Sequence, residues 1–182
     1  MTDQTQANND PYYALPEVPS FELRSSTVGD RTPFAPAQYS GVFGVPDGQD
    51  ISPELTWSGF PDETRSFIVT VFDPDAPTGS GFWHWAVGNI PVSTTHLVEN
   101  AGSETQELLP AGAVAFPNDA GLARYIGAAP PAGSGVHRYY ITVSALDVAR
   151  LELDADASPA FLGFNAGPHT IARATLVAYA GE

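Results

Sequence analysis

The chain of 182 residues carries 21 acidic and seven basic side chains, all seven of them arginine, for a net charge of −14, and it contains no cysteine. Nucleic acid is therefore not expected as a partner, because phosphate contacts need a basic stripe, and the charge also disfavours an anionic membrane surface. Without cysteine, the chain cannot form disulfides, thiolate metal sites or a cysteine nucleophile.

The composition indicates one globular domain built mainly from strands. Apolar residues make up 43% of the chain and aromatic residues 11%, as expected of a packed core. Seventeen glycines and seventeen prolines favour short strands joined by turns over a helix bundle. The N-terminus has neither the basic segment nor the apolar core of a signal peptide, and no apolar run approaches the about 18 residues of a membrane span. We therefore expect a cytoplasmic protein with no integral membrane association.

Taken in order, the chain predicts an arm followed by a single domain. Residues 1–19 are polar and interrupted by prolines, which indicates an N-terminal arm anchored through its tyrosines, Tyr12 and Tyr13, and residues 20–182 form the domain. Runs of β-branched and aromatic residues predict the strands, and Ser158 followed by Pro159 predicts a helix start. The strands are expected at residues 21–25, 52–57, 66–72, 83–91, 139–146 and 170–179, and the helix at residues 158–165. The fold class is all-β: a two-sheet antiparallel β-sandwich with one or two short helices.

The densest group of polar and aromatic residues lies between two of these strands. Asp73-Pro74-Asp75-Ala76-Pro77 ends the strand at 66–72, which is apolar at nearly every position, and Phe82-Trp83-His84-Trp85 begins the next. The prolines restrict the backbone and hold both carboxylates in place. Two carboxylates this close repel each other unless a cation or a shared proton lies between them, and a histidine is the natural companion. Regular alternation would place Trp83 and Trp85 in the core, on the face opposite His84.

A second segment, Gly135-Val136-His137-Arg138-Tyr139, is expected to form the opposite wall of a pocket. His137 can reach the carboxylates if its strand lies beside them, and Tyr139 adds a hydroxyl. Protonated histidines donate to a phosphate or carboxylate, while acidic residues hold them in tautomer and charge. The same residues could instead form a buried Asp–His network that only stiffens the fold. Arg138 faces the other way by alternation and is expected to form a structural ion pair.

Two further histidines are expected to lie outside this group. His96 falls in a polar stretch and is predicted at the surface. His169 begins the last strand, where a structural hydrogen bond is the favoured role over a position at the pocket edge.

These motifs together resemble the phosphatidylethanolamine-binding protein family, and more closely its bacterial and archaeal branch, often called Raf kinase inhibitor-like. The resemblance rests on Asp73-Pro74-Asp75-Ala76-Pro77, on Gly79-Ser80-Gly81-Phe82-Trp83-His84-Trp85 and on Gly135-Val136-His137-Arg138-Tyr139, in that order. Further agreement from Asp50-Ile51-Ser52-Pro53-Glu54-Leu55-Thr56-Trp57 to Pro168-His169-Thr170-Ile171-Ala172-Arg173-Ala174 extends it over about residues 20–180.

The resemblance implies a β-sandwich with a large central sheet, a smaller sheet and short helices near the C-terminus. It also implies a shallow surface pocket for phosphate, acetate or a phosphoethanolamine head group. The loop Gly127-Ala128-Ala129-Pro130-Pro131 departs from the family pattern, because the bacterial branch often has a cysteine there. Carried over by position, the pocket would be lined by Asp73, Asp75, Ala76, Pro77, His84, Pro131, His137 and Tyr139.

Two classes of function follow from this reading. The first is a non-catalytic binding protein that holds a small anion and modulates a protein partner. The second is a hydrolase or phosphoesterase-like enzyme, in which the Asp and His side chains act as acid and base or hold a divalent metal. The lack of a known nucleophile or metal motif favours binding, with no catalytic residue, no cofactor and no metal. Exposed edge strands could support a homodimer, and nothing in the sequence identifies a kinase partner.

Overall fold

The structure is a computed structural model, and it describes residues 10–182. These residues form nine strands: β1 (Glu22–Arg24), β2 (Thr32–Pro33), β3 (Leu55–Ser58), β4 (Ser66–Asp73), β5 (Phe82–Pro91), β6 (His96–Leu97), β7 (Val114–Ala115), β8 (His137–Leu146) and β9 (Thr170–Ala180). The described helices are one α-helix, α1 (Pro159–Ala166), and two short 3₁₀ helices, Pro36–Gln38 and Gly167–His169.

The strands assemble into two sheets. The small sheet has the order β1–β3–β6, and the large sheet has the order β2–β9–β8–β4–β5–β7. Paired strands run antiparallel, apart from the short β2, which runs parallel to β9. The predicted all-β sandwich with a short helix is therefore confirmed, and β4 and β5 are the antiparallel neighbours that the sequence indicated.

The strand β4 lies at the centre of the large sheet and is buried along its whole length. On its inner face, Phe67 packs against Trp57 of the small sheet with the ring centroids 5.4 Å apart. Burying an apolar side chain of this size contributes about 1.5–3 kcal/mol relative to leaving it exposed. On its outer face, Ile68 belongs to a second apolar cluster with Leu162 of α1. This burial on both faces explains why the sequence of β4 is apolar at nearly every position.

The helix α1 begins as the sequence predicted. The Ser158 hydroxyl accepts a hydrogen bond from the Phe161 backbone N–H at 3.1 Å, and Pro159 follows directly. This cap satisfies one of the free N–H groups of the first turn. Leu162 packs on the sheet above Gly88, where a Cβ would lie 2.9 Å from the Phe116 ring and 3.3 Å from Leu162 Cδ1, so glycine leaves room mainly for Phe116 and also for the helix.

The described part of the arm, residues 10–19, is anchored on the outer face of the large sheet through Tyr12. Its ring meets Tyr140 edge-on at 5.8 Å, and its hydroxyl accepts a hydrogen bond from the Thr142 hydroxyl at 3.1 Å. Tyr13, which the sequence also suggested as an anchor, is 66% exposed, so that expectation is wrong. The first nine residues of the predicted arm lie outside the described residues, and the arm–domain boundary stays a prediction.

Candidate functional site

A cavity of about 160 Å³ lies where the end of β4 meets the starts of β5 and β8. Two loops close it, one through Ala76 and Pro77 and the other through Pro131. We call it the histidine pocket. It is lined by seven of the eight residues that the sequence assigned to a site: Asp73, Ala76, Pro77, His84, Pro131, His137 and Tyr139.

A β-bulge turns His84 toward this pocket. Phe72 pairs with Trp83 and Val71 pairs with Trp85, so His84 is an extra residue opposite no partner. Trp85 lies in the inner core, whereas Trp83 packs on Phe72, at 4.2 Å between ring centroids, on the outer face. The expectation that both tryptophans share the face opposite His84 is therefore wrong, because it assumed a regular strand.

Asp73 is a buried carboxylate that organises one side of the pocket. One of its oxygens accepts hydrogen bonds from the backbone N–H groups of Asp75 and Ala76, at 2.8 and 3.0 Å. Its other oxygen lies 2.8 Å from His137 Nδ1, and the two side chains are 3% and 1% exposed. The rigid turn after β4 therefore positions the carboxylate, and the carboxylate positions the histidine.

The second ring nitrogen of His137 is also hydrogen-bonded. His137 Nε2 lies 2.8 Å from Ser134 Oγ, and that hydroxyl donates to the Pro131 carbonyl at 2.6 Å. A serine hydroxyl has a single hydrogen, so its oxygen is left to accept from His137 Nε2–H. His137 is therefore held at both ring nitrogens, between the Asp73 carboxyl group and the Ser134 hydroxyl. Ser134 was not predicted from the sequence; the turn Gly133-Ser134-Gly135 directly before His137 indicates that it lies nearby, but not that it contacts the ring.

His84 is held in one tautomer by a backbone carbonyl. Its Nδ1 lies 2.9 Å from the Ile126 carbonyl oxygen, which can only accept, so Nδ1 carries the hydrogen. The hydrogen bonds formed within residues 10–182 leave Nε2 for a ligand. Burial to 4% exposure lowers the pKa of His84 below its usual value, although the Ile126 carbonyl and the Asp73 charge oppose this. At neutral pH the ring is neutral, and Nε2 donates only after it takes up a proton.

Tyr139 adds a hydroxyl beside His84, with the two ring centroids 5.1 Å apart. Burial, followed by the negative charge of Asp73, raises the pKa of Tyr139 above its usual range. The phenol therefore keeps its hydrogen at neutral pH, where Asp73 and an acceptor in the pocket compete for it.

Asp75 does not line the pocket, contrary to the expectation from the sequence. Its two oxygens accept from Arg138 Nη2 at 2.7 Å and Nε at 2.8 Å, and one of them also accepts from the Arg138 backbone N–H at 2.9 Å. Burial alone would raise the pKa of Asp75, but these hydrogen bonds outweigh it and lower the pKa below its usual value. The structural ion pair predicted for Arg138 is confirmed, and it fastens the loop after β4 to β8.

Contacts of the segment before Pro131 with Asp50 and Tyr39 hold this wall of the pocket in place. The backbone N–H of Gly127 donates to Asp50 Oδ1 at 2.8 Å, and Ala128 pairs with Tyr39 in an isolated parallel bridge. A Cβ at Gly127 would lie 2.3 Å from the Tyr39 carbonyl carbon, so only glycine fits this approach. The lip of the pocket is apolar, because Phe43, which the sequence did not assign to the pocket, lines it and packs against the Phe82 ring.

The remaining histidines lie outside the pocket lining. His96 is half-exposed with its Nε2 3.0 Å from Glu54, and His169 Nδ1 lies 2.9 Å from Asp147. The surface position of His96 and the structural hydrogen bond of His169 are both confirmed. Within residues 10–182, no cluster of three or more His, Asp or Glu side chains is arranged to hold a metal ion, and no helix is long and apolar enough to cross a membrane.

Comparison with known proteins identifies the family. The sequence profile of the family described as "Phosphatidylethanolamine-binding protein" matches residues 24–180. The chain therefore belongs to this family, as its motifs suggested. It is 41% identical over 160 residues to the UPF0098 protein YbcL of Escherichia coli K12, covering 88% of this chain and 87% of YbcL. It is 48% identical over 132 residues to YbhB of the same organism, covering 72% of this chain and 82% of YbhB.

Solved structures agree with this assignment. The crystal structure of E. coli YbcL superposes with a TM-score of 0.86 at 40% identity, covering 90% of this chain and 99% of YbcL. CT736 of Chlamydia trachomatis, described as a homologue of the same family, superposes with a TM-score of 0.72 at 29% identity, covering 90% of this chain and 98% of CT736. The overall fold is thus shared with these two proteins.

Proposed function

We propose that the protein binds small phosphate- or carboxylate-type anions, including phosphoethanolamine-like head groups, in the histidine pocket without turnover. The observation that carries this proposal is the state of His84. One of its ring nitrogens is fixed on the Ile126 carbonyl, and the other is left for a ligand in a small cavity beside the Tyr139 hydroxyl. A protonated imidazole and a neutral phenol are both hydrogen-bond donors suited to an anion.

The charge balance of the pocket supports proton-linked binding. The two ring nitrogens of His137 are engaged by Asp73 and Ser134, so this histidine has no hydrogen left for an anion. The positive charge must then come from His84, which burial keeps neutral in the empty pocket. An anion favours the protonated ring, so binding should draw one proton onto His84. We expect affinity to rise as the pH falls from about 7.5 toward 5.5, through the range in which histidine titrates.

Calorimetry with matched histidine variants tests the proposal. Sulfate and phosphoethanolamine are titrated into the wild type, into His84→Asn and into His96→Asn, which makes the same chemical change outside the pocket. We expect His84→Asn to weaken binding about tenfold or more, the loss of one charged hydrogen bond, and His96→Asn to leave it unchanged. Equal affinities in all three proteins would show that the anion does not bind in the histidine pocket.

A hydrolase is the second candidate, and one chain of side chains favours it. Asp73, His137 and Ser134 are linked by two hydrogen bonds of 2.8 Å, in the order of orienting acid, base and hydroxyl. The Ser134 hydrogen is directed to Pro131, however, and not to the histidine. A panel of nitrophenyl esters and phosphates should therefore show no turnover above buffer. Turnover that disappears in Ser134→Ala would instead establish the enzyme.

The pocket also provides a means of modulating a protein partner. Its mouth carries an exposed apolar side chain, Phe43, next to the closing loops, so an occupied pocket would present a changed surface. A homodimer through the sheet edges and a cytoplasmic location remain predictions, which sedimentation and cell fractionation test.

A further inference from the structure

A second and larger cavity, of about 410 Å³, lies on the outer face of the large sheet. We call it the outer cavity. Its floor includes Ile68 and Phe72 of β4, one wall is the arm around Leu15, and the other wall is α1 around Gly163. Its size falls within the about 300–1,000 Å³ range of pockets that bind small organic molecules. It is separate from the histidine pocket, because successive residues of β4 point to opposite faces of the sheet.

The outer cavity is mostly apolar and has a single charged side chain in its lining, Arg173 of β9. No acidic residue among residues 10–182 lines it. This arrangement is unusual in a chain whose net charge is −14, where acidic partners are abundant. The cavity therefore combines an apolar interior with one positive charge.

Arg173 forms no ion pair within the described part of the chain, although the negative charge of Asp10 on the arm acts on it from beyond 4.0 Å. Its guanidinium forms no hydrogen bond there and has no carboxylate within 4.0 Å, and its contact is with the face of the Tyr12 ring, 5.7 Å from Cζ to the centroid. Arg173 is half-buried. Arginine stays charged in such a setting, and a partly desolvated cation without a hydrogen-bonded counter-ion is unfavourable. The planar guanidinium can bind a carboxylate through two parallel hydrogen bonds.

We propose that the outer cavity binds an amphipathic carboxylate, a medium-chain fatty acid anion, with its carboxylate on Arg173 and its apolar tail along the sheet between α1 and the arm. The charge complementarity of one guanidinium selects a single negative charge. The apolar lining selects the hydrocarbon chain, since burying each methylene group is favourable. A dianionic phosphate head group would meet only one cation here, within a strongly acidic molecule.

Three ligands with the same tail test the role of charge. Octanoate, octanol and octylamine are titrated by calorimetry into the full-length protein. We expect octanoate to bind about tenfold more tightly than octanol, and octylamine more weakly than octanol. In Arg173→Gln, octanoate should fall to the affinity of octanol, while Arg173→Lys should keep part of the preference. Equal binding of octanoate and octanol by the wild type, or an unchanged octanoate affinity in Arg173→Gln, would overturn the proposal.

A pair of substitutions at one glycine tests the location. Gly163 lines the outer cavity, and a Cβ there would meet no heavy atom within 4 Å. We expect Gly163→Trp to fill the space and abolish octanoate binding, and Gly163→Ala to preserve both the fold and the binding. Retained octanoate binding in Gly163→Trp, with the fold verified by circular dichroism, would overturn the assignment.

The histidine pocket provides the last control. Octanoate affinity should be unchanged by saturating phosphate and by His84→Asn. If phosphate displaces octanoate, or if His84→Asn removes its binding, octanoate occupies the histidine pocket and the outer-cavity proposal fails, while the proposed anion binding stands. If phosphate does not bind at all, the octanoate experiments still decide whether the outer cavity binds a carboxylate.

Discussion

His84 shows how one side chain can be buried and still be available to a ligand. The Ile126 carbonyl satisfies one ring nitrogen and fixes the tautomer, while the bulge in β5 turns the ring toward a small cavity. Burial keeps the ring neutral when the cavity is empty. The same side chain can therefore contribute to stability at neutral pH and act as a proton-linked donor when an anion binds.

The depressed pKa of His84 makes stability depend on pH. The unfolded chain titrates this histidine near its ordinary pKa of about 6.5, whereas the folded protein binds the proton only at lower pH. The contribution is therefore present above about pH 6.5 and is lost as the pH falls toward the folded pKa. Between about pH 7.5 and 5.5, we expect the wild type to lose more unfolding free energy than His84→Asn, by at most about 1.4 kcal/mol, the limit for a folded ring that takes up no proton in this range. Urea unfolding in buffers without strongly binding anions measures this difference. Parallel pH profiles of unfolding free energy for the two proteins would contradict the prediction.

Asp75 is assigned a different role from Asp73, although the two lie two residues apart. Asp75→Asn should weaken the pairing with Arg138 and lower the unfolding free energy by about 1–2 kcal/mol. It should change anion affinity by less than about threefold. Urea unfolding and calorimetry on the same sample separate the two effects. A loss of anion binding as large as that of His84→Asn would place Asp75 in the site after all.

Seven of the eight residues that the sequence assigned to a site line one cavity, their role in ligand binding stays a prediction, and the errors have physical causes. The motifs identified seven of the lining residues because their prolines and strand ends are visible in the chain. Asp75 was misplaced because the direction of a carboxylate within a turn depends on its partner, here Arg138. Ser134 was missed because a serine in a glycine-rich turn shows no sign that its hydroxyl meets a histidine.

At the scale of elements, long strands and the capped helix were predictable, and short or irregular elements were not. Runs of β-branched residues located β4 and β8, and Ser158 located the start of α1. The strands β2, β6 and β7 have two residues each, too few to show any periodicity. The bulge in β5 depends on the register with β4, which a single strand does not reveal.

Gly127 supports the segment that leads to Pro131, and its backbone lies against that of Tyr39. Gly127→Ala would bring a Cβ to 2.3 Å from the backbone of Tyr39, which can shift only with its whole segment. We expect a loss of about 2–3 kcal/mol in unfolding free energy, together with weaker anion binding as the pocket wall moves. Gly163→Ala is the matched control: its Cβ meets open space in a helix, so stability should rise by about 0.5–1 kcal/mol. Equal effects of the two substitutions on stability would contradict this account of the wall.

For the molecule as a whole, composition and motifs were sufficient for the class and the family. High glycine and proline content with strand-like runs indicated a sandwich, and both the fold and the family comparison confirm it. The outer cavity could not be foreseen, because its arm, sheet and helix are separated in sequence and converge only in the fold. The two cavities lie on opposite faces of one sheet, which makes their proposed ligands independent.

Anion binding by a chain with a net charge of −14 requires a local positive charge, and the central claim is that His84 supplies it on binding. Nitrogen NMR of the histidine rings, recorded at about pH 7 during a sulfate titration, observes this directly, since sulfate does not titrate near neutral pH. The account predicts that, among the four histidines, His84 alone gains a proton at Nε2, in step with binding. Saturable sulfate binding with the His84 ring still neutral, or with the proton taken up at another histidine, would contradict it.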